Sequence, residues 1–123
     1  MKTARLHRLA ETVVAVARHA LPADLRSAAD GVAVCFEGRP AHSPWADGGD
    51  DDLLGLFVGH THAGGPDGGD PLPPQILLFL ENLWDFAEGD EEAFRREVRI
   101  TYLHELGHYL GWDEDEVARR GLD

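Results

Sequence analysis

Apolar residues near the start of the chain recur every three or four positions, which is the period of an amphipathic helix. This helix is predicted to end before Pro22, and a second helical turn over residues 23–29 stops at Gly31. The apolar face of the first helix is expected to lie on the core, with a partner-binding face as the alternative. Its residues are Leu6, Leu9, Val13, Val16, Ala17 and Ala20.

Three short apolar runs predict strands at residues 32–36, 53–58 and 76–80. They are separated by loops rich in Gly, Pro and Asp, at residues 38–52 and 59–74. The pattern therefore predicts a small sheet of about three strands.

A short helical segment at residues 83–87 ends at Gly89, and a long helix is predicted to follow it. Asp90 is the expected N-cap, with Glu91 and Glu92 in the first turn, and the helix runs to Gly111. No internal repeat is visible, so residues 1–123 are predicted to form one α+β domain with the sheet packed on the first and the long helix. The expected core-facing residues of the long helix are Phe94, Val98, Ile100, Leu103, Leu106 and Leu110.

Composition and charge limit the partners and the cellular location that can be expected. The net charge of −12 argues against nucleic acid or an anionic membrane as a partner. The single cysteine, Cys35, permits no internal disulfide, fits a reducing compartment and is interpreted as a small core residue. Neither a secretory signal nor a membrane-spanning run is recognisable, so the expected location is cytoplasmic.

The most informative segment reads HELGHYLGWDE, from residue 104 to residue 114. His104 and His108 lie four residues apart and therefore share one face of a helix, where two imidazoles can bind one Zn²⁺. Glu105 is rotated by about 100° from His104, so it can lie beside the metal and act as a general base. The histidines favour zinc, although iron, cobalt or manganese can occupy such a site.

A catalytic zinc usually has three protein ligands and an open position. Only 15 residues follow His108, so the third ligand is expected within them. Gly111 can end the helix and let the chain turn back, and Asp113 with Glu116 fits the cap of a short terminal helix. Glu114 is therefore the favoured third ligand, with Asp113 and Asp115 as alternatives.

Weaker patterns leave alternatives open. His60 and His62 can add to a metal site, although solvated loop histidines are commoner. The acidic runs at residues 50–52 and 67–70 lack calcium-loop spacing and are interpreted as solvated charge. Tyr102 and Tyr109 flank the motif as packing residues or as donors to an oxyanion.

Residues 104–114 resemble the metzincin-type zinc motif, with an acid in place of the usual third histidine. The methionine turn of metzincins is absent, because the only methionine is Met1. A closer resemblance is to the small bacterial minimal-zincin family of metallopeptidases, whose third acid is typically Asp. It is carried by ALPADLRSAADGVAVCFEGRP, DLLGLFVG, PPQILLFLENL and EEAFRREVRITYLHELGHYLGWDEDEV. This resemblance implies a zincin-like fold, and it implies that the edge of the strand at residues 76–80 can hold an extended peptide. The residues themselves favour a plain core strand.

The sequence thus predicts a zinc-dependent metallopeptidase that hydrolyses an unidentified peptide or protein. His104, His108 and Glu114 are its expected ligands and Glu105 its general base. The alternative is a non-catalytic, metal-stabilised binding or regulatory module, in which His60 or His62 closes the fourth position. Hydrolysis of a non-peptide amide is a third hypothesis, since the chemistry at the metal is the same.

Overall fold

The computed structural model describes residues 2–40, 51–62 and 73–120. Of Glu114 it describes the backbone alone. Most of the two predicted loops and the acidic run at residues 67–70 lie outside these ranges. The predicted α+β architecture is confirmed, with five helices and one three-stranded sheet in the described ranges. In chain order the elements are α1 (Thr3–His19), α2 (Ala23–Ala29), β1 (Ala33–Glu37), β2 (Gly55–Val58), β3 (Gln75–Phe79), α3 (Leu80–Phe86), α4 (Glu91–Tyr109) and α5 (Glu114–Arg119).

The sheet has the order β1-β3-β2, with β1 parallel and β2 antiparallel to β3. Leu77 of β3 lies opposite Cys35 on one side and Leu56 on the other. The central strand is also the most buried of the three, since Ile76, Leu77, Leu78 and Phe79 are all 0 % exposed.

The expectation that residues 76–80 present an edge to a peptide is wrong. Both edges of β3 are already hydrogen-bonded within the sheet, so β3 is a buried core strand. In the described ranges, β2 is the edge strand that lies against α4. Sequence patterning identifies a buried strand well, but strand order depends on how the chain crosses over.

The core lies between the sheet, α1 and α4. The buried line of α1 runs through Leu6, Ala10, Val14 and Ala17. The expectation that Val16 and Ala20 face the core is wrong, because the side chain of Val16 is 64 % exposed and Ala20 is exposed as well. Val16 is two residues from the buried Val14, a rotation of about 200° around the helix, and therefore points outward.

Two further expectations need correction. Leu80 begins α3 rather than ending the strand, so strand and helix join without a loop. Within α3, Asn82 is buried, and its side-chain amide donates to the carbonyls of Asp51 and Leu53 at 2.6 and 2.9 Å. On α4, Ile100 is half-buried and lies outside the main core cluster.

No helix in the described ranges has the length and apolar character needed to cross a membrane.

Candidate metal centre

The long helix α4 carries the motif, and its start follows the predicted chemistry. Asp90 is the N-cap, and its carboxylate accepts a hydrogen bond from the Ala93 N–H at 2.8 Å. Glu91 and Glu92 occupy the first turn, where the helix dipole favours negative charge. The motif residues 104–108 lie in the last two turns of this helix.

His104 and His108 lie on one face of α4, with their ring centroids 4.7 Å apart. Together with Glu105 they form a group whose potential ligand atoms all lie within 4.8 Å of one another. Both imidazoles are half-buried, so they are partly shielded yet accessible from solvent. Such a set of two nitrogens and a carboxylate suits Zn²⁺.

Glu105 is 8 % exposed and lies against His108, with its Oε1 3.2 Å from Nδ1 of that imidazole. When Nδ1–H donates to this carboxylate, Nε2 carries the lone pair that a metal requires. The carboxylate therefore orients one imidazole as well as lying beside the position where a metal would bind.

The edge strand β2 passes directly beside this carboxylate. A Cβ added to Gly55 would lie 2.6 Å from Cγ2 of Thr101 and 3.4 Å from Cγ of Glu105. Only glycine permits that approach of strand to helix. Sequence reasoning missed Gly55, although a glycine inside a strand pattern often indicates close backbone approach.

The helix ends with the turn that Gly111 was expected to make. Gly111 has φ of 80°, in the left-handed region, and its N–H donates to the His108 carbonyl at 2.9 Å. The N–H of Trp112 donates to the Gly107 carbonyl at 3.0 Å. These two bonds form a Schellman motif, which turns the chain back along the histidine-bearing helix.

After this turn, α5 begins at Glu114. The Asp113 carboxylate caps it by accepting from the Glu116 N–H at 2.9 Å, so the predicted structural role of Asp113 is confirmed. The Glu116 carboxylate pairs with Arg119 and Arg120. Glu114 thus has its backbone placed next to the cap, while its side chain lies outside the described part.

Residues 29–122 match the model of the zincin-like metallopeptidase family. The chain belongs to this family. A comparison with curated proteins found no match. The family match spans the sheet and the motif helix, and it begins after α1.

Among the described residues, the two loop histidines of this zincin-like domain do not join the group of His104, Glu105 and His108 that could hold a metal. The His62 N–H donates to the Tyr109 carbonyl at 2.7 Å, and its Nδ1 lies 3.3 Å from the Tyr109 hydroxyl. Nδ1 of His60 lies 3.1 Å from the Thr61 carbonyl. His62 therefore ties the segment after β2 to the end of α4.

Both tyrosines that flank the motif are packing residues in this zincin-like domain. Tyr102 is 0 % exposed, and burial raises the pKa of its hydroxyl. Burial also raises the pKa of Tyr109, which contacts His62 and the ring of Phe57. The Tyr102 hydroxyl thus lies in the interior and the Tyr109 hydroxyl lies beside His62, so both are packing groups.

The interpretation of Cys35 as a core residue is wrong, because it lies outside the core cluster. It is half-buried in β1, and its Sγ lies 3.3 Å from Oε1 of Gln75. Burial, together with the negative charge of Glu37, raises the pKa of the thiol and so disfavours the reactive thiolate.

Proposed function

We propose that this chain is a zinc-dependent peptidase. The observation that carries the proposal is the grouping of His104, Glu105 and His108 within 4.8 Å on the last turns of α4. The family match over residues 29–122 supports hydrolysis of peptide bonds as its chemistry. The chemistry of these side chains fits zinc, since imidazole nitrogens are among its usual ligands and the Glu105 carboxylate lies beside them, where a general base is needed.

His104 and His108 would hold the metal with Glu114 as the third ligand. Asp113 is engaged as the cap of α5, and neither it nor Asp115 joins the metal-binding group among the described residues. Both observations support Glu114, whose backbone begins the helix that turns back beside the histidines. When bound there, zinc supplies a Lewis acid that polarises a carbonyl and lowers the pKa of water towards about 7.

Glu105 is the general base in this proposal. Its carboxylate lies next to His108 and is largely shielded from bulk water, so it can accept a proton from the attacking water. The same carboxyl group then donates that proton to the departing amine.

The edge of β2 is the proposed docking place for the peptide. Gly55–Val58 is paired with β3 on one side, and no other strand of the described ranges pairs with its second side. An extended peptide can add to such an edge through main-chain hydrogen bonds. Because Gly55 lies against Glu105, a peptide on this edge would pass beside the general base.

A matched pair of variants tests the mechanism. Glu105→Gln keeps the shape of the side chain but cannot accept the proton, so hydrolysis of fluorescein-labelled casein should fall by about 10²-fold or more. Glu97→Gln, on the same helix but outside the metal-binding group, should hydrolyse casein like the parent protein. Zinc content should be equal in all three proteins. Peptidase activity that survives in Glu105→Gln would rule out this mechanism.

A further inference from the structure

The outward face of α1 carries an exposed hydrophobic side chain, that of Val16. Val16 and Phe86 are the exposed large hydrophobic residues of the described part, at 64 % and 59 %. Val16 stands between two grooves, and it lines both of them. We call the apolar strip formed by Leu9, Val13, Val16 and Ala20 the α1 ridge.

Arginines lie on both sides of the α1 ridge. One groove, of about 540 Å³, is completed by Arg95, Arg96 and Arg99 of α4. The other contains Arg18 and Arg26. These are five of the eleven Lys and Arg residues of a chain whose net charge is −12.

Few acids offset this local positive charge. Asp30, 3.9 Å from Arg18, is the acid that lines the second groove, and no acid lines the first. Arg95 is bridged to Glu91 at 3.2 Å. Arg96 and Arg99 have no ionic partner among the residues that the structure describes. The α1 ridge is therefore a partly exposed apolar strip with cationic borders on an otherwise strongly acidic protein, since Val16 is exposed while Leu9 and Val13 are half-buried against the core.

We infer that the α1 ridge docks an acidic amphipathic helix of a partner protein. The apolar face of that helix would cover Val16, and its carboxylates would meet the arginines on either side. An anionic lipid surface or a nucleic acid fits less well, because its extended negative charge would face much of this acidic chain, whereas a single acidic helix would face mainly the arginines beside the α1 ridge. The ridge spans about 16 Å from Leu9 to Ala20, which is the length of about three helical turns.

This surface is separate from the metal centre. At roughly 100° per residue, Arg99 lies about 180° around α4 from His108. The α1 ridge also precedes residue 29, where the family match begins. A docked helix would therefore leave the face of His104 and the edge of β2 open, which makes the ridge an attachment site rather than a substrate cleft.

Two synthetic helical peptides test the inference against the full-length, zinc-treated protein. Both are about 18 residues long with Leu at i, i+3, i+4 and i+7, and their flanking positions are all Glu in one and all Lys in the other. Fluorescence anisotropy should show saturable binding of the Glu peptide, at least about tenfold tighter than that of the Lys peptide. The affinity should fall as salt is raised.

Matched variants locate the binding. Val16→Ser should weaken binding of the Glu peptide about tenfold, whereas Phe86→Ser, at the other exposed hydrophobic residue, should leave it unchanged. Arg96→Glu/Arg99→Glu should reverse the preference towards the Lys peptide. The same charge change at Arg119→Glu/Arg120→Glu, on α5, should not reverse it.

Several results would overturn the inference. These are equal binding of the two peptides, no saturable binding, or equal effects of Val16→Ser and Phe86→Ser. Self-association in sedimentation that Val16→Ser abolishes and the Glu peptide leaves intact would identify a second copy as the occupant. Tighter binding to phosphatidylglycerol vesicles than to the Glu peptide, lost in Val16→Ser, would identify a membrane instead.

Discussion

Val117 of α5 packs directly against Gly107 of α4, where the lack of a side chain lets the two helices come close. A Cβ at residue 107 would lie 2.5 Å from Cγ2 of Val117, which is itself 0 % exposed. Glu114 begins the helix that Val117 anchors. The middle glycine of the HELGH segment thus determines how closely the proposed third ligand can approach His104 and His108.

Gly107→Ala should weaken zinc binding by about tenfold or more and destabilise the fold by about 1–3 kcal/mol, because α5 must shift outward. In an unrestricted helix the same change would stabilise by about 1 kcal/mol, so the sign of the effect tests the packing. The measurements are zinc titration against a competing chelator and urea unfolding. Val117→Ala in the same chain should recover much of the zinc affinity, since it removes the obstructing methyl groups. A Gly107→Ala protein with higher stability and unchanged zinc affinity would show that this contact is not limiting.

Gly55→Ala is expected to separate metal binding from catalysis. The added methyl group presses on Thr101 and Glu105, so β2 must move away from α4. Zinc content should stay at the parental level while kcat/KM for casein falls by about 10²-fold, because misplacement by about 1 Å is costly. Thr101→Ser removes the nearest methyl group and should partly restore the activity of Gly55→Ala. Parental kcat/KM in Gly55→Ala would contradict the role given to the edge of β2.

Tyr102 has a buried hydroxyl for which no hydrogen-bond partner is found among the described residues. Tyr102→Phe should therefore raise the free energy of unfolding by about 1 kcal/mol at neutral pH, since it removes an unsatisfied polar group. Tyr109→Phe is the control, because that hydroxyl contacts His62 and its loss should give no gain. Urea unfolding of the three proteins provides the comparison. A loss of stability in Tyr102→Phe would mean that its hydroxyl is satisfied.

The same tyrosine predicts how stability depends on alkaline pH. Burial raises its pKa in the folded state above the ordinary value of 10.0; Arg18 opposes this shift and Asp30 adds to it. The folded protein therefore retains a proton that the unfolded chain releases above about pH 10. The stability contribution is complete below that pH and is lost as the pH rises further. Unfolding measured from pH 9 to 11 should show a smaller decline in Tyr102→Phe than in the parent, and identical slopes would refute this assignment.

Replacing His60 and His62 tests whether the proposed zinc site is catalytic or a closed structural site. Neither belongs to the described metal-binding group, so His60→Ala/His62→Ala should retain zinc affinity within about threefold. A structural site would use a fourth protein ligand, and its removal would release the metal. Elemental analysis after dialysis against a weak chelator measures the difference. Loss of zinc in this double variant would favour the non-catalytic module.

Much of the fold could be predicted from local chemistry. Asp90 and Asp113 cap helices as their side chains suggest, and α2 has the predicted bounds. Gly111 makes the expected left-handed turn. Each of these features depends on residues that are neighbours along the chain, and it can therefore be predicted from a short stretch of sequence.

The features that escaped prediction depend on contacts between distant segments. The central place of β3 follows from pairing with both β1 and β2. The outward rotation of Val16 depends on which alanines of α1 meet the core. At the candidate site, the spacing predicts that His104, Glu105 and His108 come together, but the approaches at Gly55 and Gly107 involve partners ten or more residues away.

Zinc content with ligand mapping tests the central claim most directly. Elemental analysis would compare the purified parent protein with His104→Ala, Glu114→Ala and Glu105→Gln, and with His19→Ala as an exposed histidine outside the site. The account predicts one zinc per chain in the parent, none in His104→Ala and weakened binding in Glu114→Ala. Glu105→Gln and His19→Ala should keep the metal. A parent protein that folds without metal and binds none when offered zinc, or a His104→Ala variant with undiminished zinc, would contradict it.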